Sequence, residues 1–328
     1  MTTRGVHTRY ATHGPTASAP GAWRPILRAV ALAATVPYLA LKAAWLAGSR
    51  IGIPDGSVLA EPGPFLIVAN SVTMAMDACV IVLVLALTRP WGMRVPSWLL
   101  TVPVFVASGL LAPIVLGFPA QLLIRAIGLG TAPVDGAARP FLDPWVFHVV
   151  YGGFIVQALA LAGLFVPYAR ERWGGRLRQG APGAWARTST RVTAAAAAAA
   201  GAAMGALHLY WAFGGTAGME AERAAAWSVE TGAISAVHAL CAFAAAAGAV
   251  LLVRGGGSGS WWPAALAWTG GAAALSWGLW LLIASLGRQL DGGDGLSGVT
   301  RLIYAGQMVT GGLAAVVLIR FLTRRRQE

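Results

Sequence analysis

Charge is what this chain has least of. Only 11% of its 328 residues are Asp, Glu, Lys or Arg, against about 25% in soluble domains. With 57% hydrophobic residues and a mean hydropathy of +0.66, that scarcity excludes an ordinary soluble enzyme, a disordered chain and a nucleic-acid-binding module. Cysteine is nearly missing as well. Cys79 and Cys241 both sit inside apolar stretches, and no C-x-x-C pair exists. Thioredoxin-like redox chemistry and zinc ribbons therefore have no support, and both residues read as small apolar side chains. Lysine is rarer still: Lys42 is the only one among 24 basic residues. With the richness in Ala and Gly, this preference for Arg is the composition of a high-GC genome such as an actinobacterium.

What remains is a polytopic membrane protein, all-α, because a spanning helix needs about 20 mostly apolar residues. Eight such runs stand out, at about 26–48, 64–88, 97–119, 145–168, 190–213, 229–253, 262–286 and 300–322. Pro103, Pro113 and Pro119 predict a kink or break in the third. A short re-entrant or interfacial piece is expected within 120–143. Residues 1–25 are polar, carry Arg4, Arg9 and Arg24, and read as a tail; no cleavable signal peptide is expected there. His7 and His13 in this tail read as solvated.

The net charge of +12 does not need a nucleic-acid partner. The basic residues cluster at the ends of apolar runs, most densely in Arg170, Arg172, Arg176, Arg178, Arg187 and Arg191. The acids Asp55, Glu61, Asp135, Asp143, Glu220, Glu222, Glu230, Asp291 and Asp294 collect on the other side. By the positive-inside rule, both termini are cytoplasmic in a cell membrane, and the basic surface faces anionic lipid.

The chain also reads as two parallel repeats of four helices. Residues 41–52, LKAAWLAGSRIG, align without a gap on residues 207–218, LHLYWAFGGTAG. Leu41, Trp45, Gly48 and Gly52 fall on Leu207, Trp211, Gly214 and Gly218, an offset of 166. YGGFIV at 151–156 matches YAGQMV at 304–309. The expected division is a tail at 1–25, a first membrane repeat at 26–172, a basic linker at 173–189, a second repeat at 190–322 and a basic tail at 323–328. The H-x-x-W-x-x-G-G element formed by His208, Trp211, Gly214 and Gly215 resembles an uncharacterised family of small four-helix actinobacterial membrane proteins. The second half, about 188–326, covers such a unit. The resemblance implies that the first half is a diverged copy, with Lys42 in place of the His and Ser49 in place of the second Gly. It implies a fold, not an activity.

Ionisable groups at membrane depth are costly and are candidate functional residues. Lys42 lies about 9 Å below the interface at 1.5 Å per residue. Asn70, Thr73 and Asp77 share one face of the second helix, so a cluster of Lys42 with Asn70 or Asp77 is expected. In the second half the counterparts are His208, Ser235 and His238, with Glu230 nearer the surface. Trp45 and Trp211 stand one turn outward of the basic residue. The plain alternatives are a snorkelling Lys42, Trp45 and Trp211 as interfacial anchors, and interhelical hydrogen bonds without chemistry. His148, Tyr151 and Gln157 of the fourth helix and Arg301, Tyr304, Gln307 and Thr310 of the last, with Gln157 matched to Thr310 and Tyr151 to Tyr304, read as an inner polar seam or as helix-packing contacts. No metal-ligand spacing accompanies the histidines, so neither metal nor cofactor is expected. The stretch 255–260, GGGSGS, reads as a cytoplasmic turn and not a phosphate loop. The stretch 291–295, DGGDG, lacks the Glu of a calcium loop.

Three functions fit these features: a binder or carrier of a small or lipidic ligand at the outer-leaflet clusters, a structural or assembly subunit, and an intramembrane enzyme using Lys42, Asp77, His208 or His238 for acid–base work. The first predicts a cavity at the clusters, the second predicts packed clusters, and the third predicts two titrating groups converging on one cavity. Membrane lipids and a small or lipidic ligand are the expected partners, and nucleic acid is not.

Overall fold

The computed structural model describes residues 23–57, 59–60, 63–130, 142–178, 185–255, 260–290 and 296–323, with the side chains of 176–178, 288 and 290 left aside. The expected terminal tails, the core of the 120–143 segment, the middle of the basic linker, most of the glycine turn and the DGGDG stretch thus lie outside the described residues.

Among the described residues, eight helices are long and apolar enough to cross a membrane. They are α1 (Trp23–Leu46), α2 (Pro64–Thr88), α3 (Ser97–Ala126), α4 (Pro144–Arg178), α5 (Thr188–Ala212), α7 (Val229–Arg254), α8 (Trp262–Leu290) and α9 (Gly298–Thr323), with α6 (Ala221–Ala225) a single short turn after α5. Their ends follow from local chemistry. Pro64 opens α2 behind Gly63, at a position where a missing N–H costs nothing. The Ser228 hydroxyl accepts from the Thr231 N–H at 3.2 Å while the Thr231 hydroxyl accepts from the Ser228 N–H at 2.8 Å, a reciprocal cap that starts α7. Gly255, at φ +71°, closes the same helix in the left-handed conformation.

One expectation is corrected here. The prolines Pro103, Pro113 and Pro119 do not break α3, which runs unbroken through Ala126. Residues 120–126 belong to this helix and not to a re-entrant piece. In a membrane, helical segments tolerate Pro because neighbouring groups supply hydrogen bonds to the backbone. Trp277 Nε1 does so, donating to the carbonyl of Leu110 at 3.2 Å.

Helices α1–α4 touch as α1 with α2 and α4, α2 with α3 and α4, and α3 with α4. Helices α5, α7, α8 and α9 touch in the corresponding pairs. Val84, Leu161 and Leu164 centre the first core, and Ala197, Ala249 and Val317 the second. Trp268 packs against both.

The seam between the two sets is made mainly by α3 against α7 and α8. Gly109 permits its closest approach, since a Cβ there would lie 2.2 Å from the Ala272 carbonyl oxygen. Trp268 Nε1 donates to Ser108 Oγ across the seam at 2.9 Å.

Candidate functional site

The first cluster sits where α1 and α2 meet. Lys42 Nζ donates to Asn70 Oδ1 at 2.6 Å. The ammonium lies 5.2 Å from the ring centroid of Tyr38 and 5.1 Å from that of Trp45. Both distances are within cation–π range. The ring of Trp45 is itself fixed, because its Nε1 donates to the Ile51 carbonyl at 2.8 Å. That bond spans a turn shaped by Gly48 at φ +88° and Gly52 at φ +72°. Lys42, Trp45, Asn70 and Arg50 line a cavity of about 260 Å³ together with Ser49 and apolar side chains. Its described lining holds two cations and no carboxylate.

Asp77 is not part of this arrangement. No ion pair joins it to Lys42. Its Oδ1 instead accepts from Gln157 Nε2 of α4 at 2.8 Å, and Oδ2 has no hydrogen-bond partner among the described residues. Asp77 and Gln157 are both buried. Asp77 is seven residues past Asn70, about 10 Å further along α2. Thr73, between them, turns its hydroxyl back to the carbonyls of Ala69 and Asn70 at 2.9 and 3.1 Å. The single expected cluster is thus two separate pairs, one at the cavity and one in the core.

The second cluster is closed. His208 Nε2 meets Gln307 Nε2 of α9 at 2.6 Å, and turning that amide would let Oε1 accept from the ring instead. The His208 ring is stacked on His238 at 5.4 Å and edge-on to Trp211 at 5.0 Å. Trp277 closes the far side of His238 at 5.6 Å. His208, Trp211, Ser235 and Gln307 are all below 5% exposed. Ser235 does not reach the histidines through its hydroxyl, which donates to its own helix at Thr231 O, 3.2 Å away. Glu230, at the start of α7, is 5% exposed and pairs with Arg125 of α3 at 3.5 Å. No group of three or more metal-ligating side chains occurs among the described residues.

The turns after α1 and α5 are built alike. Trp211 Nε1 donates six residues on, to the Ala217 carbonyl at 2.9 Å, and Gly214 and Gly218 carry φ of +89° and +78°. Only residues without a Cβ adopt such values freely.

Sequence reasoning did not assign Gln157 and Gln307 to the clusters. Of the matched pair Gln157 and Thr310, only Gln157 reaches across; the Thr310 hydroxyl bonds back to Gly306 O at 2.8 Å. Tyr151 stacks among Phe118, Phe147 and Phe154 instead of lining a polar path.

Fold and site together define an all-helical, polytopic membrane protein with one open and one closed polar cluster. No family model matches the chain, and no curated protein or solved structure matches it.

Proposed function

We propose that this protein binds a small anionic group, free or as the headgroup of a lipid, in the outer-leaflet cavity beside Lys42. One observation carries the reading: a cavity of about 260 Å³ whose described lining combines Lys42 and Arg50 with no acidic side chain. An ammonium has three donors, and Asn70 takes one. The others remain for a ligand, while the rings of Tyr38 and Trp45 offset part of the cost of holding the charge below the surface. A volume under about 300 Å³ suits a phosphate, a carboxylate or a compact headgroup better than a drug-sized molecule. The cavity faces outward in the topology expected from the Arg distribution, with both termini cytoplasmic.

The second cluster supports a structural role for its own half. Its rings and amide are packed on one another, with His208, Trp211 and Gln307 buried and His238 half-buried. We read the chain as a tandem duplication whose first copy kept an open site while the second closed. The paired indole-to-carbonyl turns, with glycines at positive φ in matched places, support that reading. Nothing comparable favours acid–base chemistry, since Asp77 is engaged by Gln157 away from the cavity lining.

The test is a titration of the purified protein in non-ionic detergent with inorganic phosphate and, separately, with dihexanoyl phosphatidylglycerol. Tryptophan fluorescence reports on Trp45. Saturable changes that are lost in Lys42→Met and Arg50→Gln are expected. A response equal in wild type and both variants would refute the site.

A further inference from the structure

A larger cavity, about 520 Å³, lies at the other end of the molecule, between the two sets of helices. Its walls come chiefly from α3, α4 and α8, with Val104, Leu111, Phe165, Trp268 and Leu318 representative of an almost wholly apolar lining. Arg170 is the only charged side chain in the described lining; its neighbour Glu171 is not part of it. Along α4 the lining runs from Ala158 to Trp173, about 22 Å at 1.5 Å per residue. That exceeds half of a hydrocarbon core of about 30 Å, so the cavity is about one leaflet deep.

Three observations say what fills it. First, the rim residues Leu116, Leu159 and Val166 are 46%, 61% and 45% exposed. The cavity therefore opens through the side of the bundle, where a membrane supplies hydrocarbon chains and not water. Second, Arg170 stands at the end of the cavity that also holds Trp173 and Trp261, the aromatic pattern of a headgroup level. Third, Arg170 is exposed and, among the described residues, has no hydrogen-bond or ion-pair partner. Two other arginines at the same end are engaged: Arg172 Nη1 donates to Met93 O at 3.2 Å, and Arg320 Nη1 to Thr190 and Thr193 at 3.3 and 3.2 Å. A free guanidinium at the mouth of an apolar slot is matched by a phosphodiester above an acyl chain.

We propose that this cavity is a site for one anionic glycerophospholipid of the leaflet on the Arg-rich side. One acyl chain would lie between α3, α4 and α8, and its phosphate would sit on Arg170. The lipid would complete the seam between the two sets of helices, because Trp268 both lines the cavity and packs against both cores. The site is independent of the cavity beside Lys42, whose lining shares no residue with it.

The full-length protein can be reconstituted in vesicles of equal parts phosphatidylcholine and phosphatidylglycerol, extracted mildly and weighed by native mass spectrometry. Measured in a Lys42→Met background, which removes the ammonium of the other proposed anion site, a single retained phosphatidylglycerol, in several-fold excess over retained phosphatidylcholine, is expected. Arg170→Gln should abolish the preference while a phospholipid is still retained. Ala162→Phe and Ala158→Phe, each of which fills the slot from α4, should lose that lipid altogether in the same background. Size-exclusion behaviour identifies any filled-slot variant that fails to fold, and the other variant then decides. The proposal is overturned if the Lys42→Met protein retains both lipids equally, if adding Arg170→Gln keeps the preference, or if a folded filled-slot variant retains lipid like Lys42→Met alone. It is also overturned if wild type runs as a dimer that the filled-slot variants disrupt, since a second copy would then be the occupant.

Discussion

Replacing Lys42 separates the arrangement found here from the ion pair that its spacing from Asp77 suggests. Lys42→Met keeps the apolar stem and removes the ammonium. It deletes the 2.6 Å hydrogen bond to Asn70 and both ring contacts. Hydrogen bonds to charged groups contribute about 1.5–3 kcal/mol. Each ring contact adds about 0.5–2 kcal/mol. Against that gross gain stands the cost of removing a charge from water, which the methionine no longer bears. A net loss of about 1–3 kcal/mol is expected. The informative quantity is the coupling in double-mutant cycles, read by equilibrium unfolding in mixed micelles with tryptophan fluorescence. Lys42→Met with Asn70→Ala should couple by about 1.5 kcal/mol, the lower end for a charged hydrogen bond. Lys42→Met with Asp77→Ala should be additive within about 0.5 kcal/mol, because each makes its hydrogen bond to a different residue. Coupling above about 1 kcal/mol between Lys42 and Asp77, or additivity between Lys42 and Asn70, would refute the geometry.

Gln157→Leu should destabilise by about 1–3 kcal/mol in the same assay, because it strips the buried Asp77 carboxyl of the partner that holds its Oδ1. Asp77→Leu combined with Gln157→Leu should recover part of that loss. Gly48→Ala meets open space but a φ of +88°, so its cost should be about 1 kcal/mol of backbone strain. Gly109→Ala meets the Ala272 backbone, and overpacking there should cost about 1–3 kcal/mol or more; a Gly109→Ala as mild as Gly48→Ala would contradict the close α3–α8 approach. Reporter fusions after Gly215 and after the C-terminal residue should report opposite sides of the membrane, and same-side reports would end the proposed topology.

The eight spans could be read from the sequence because each needs only a run of apolar residues, a property of one segment at a time. The partner of Lys42 was within reach for a related reason: Asn70 lies at matching depth on the next helix. The partner of Asp77 was not. Gln157 stands 80 residues away, and helical spacing says which face it occupies but not which helix that face meets. Gln307 reads as one of several polar residues on the last helix, and spacing alone does not single it out as the one that meets His208. The partner of Glu230, Arg125 of α3, was likewise out of reach. That contact belongs to the packing of the two sets of helices, which no stretch of either records. The prolines of α3 misled for a different reason: their cost in water is steep, and neighbouring helices in a membrane reduce it.

The position of α3 has a consequence for biogenesis. The helix is third in the chain, but the groups that meet its Ser108–Leu110 face, the indoles of Trp268 and Trp277 and the backbone around Ala272, are carried by α8. During synthesis, α3 enters the membrane long before α8 exists. Until then the face bearing Ser108, Gly109 and Leu110 must wait against lipid or an insertion chaperone. Ribosome-bound chains ending before α8 should therefore hold α3 loosely, open to crosslinking along that face, and the emergence of α8 should close it in one step.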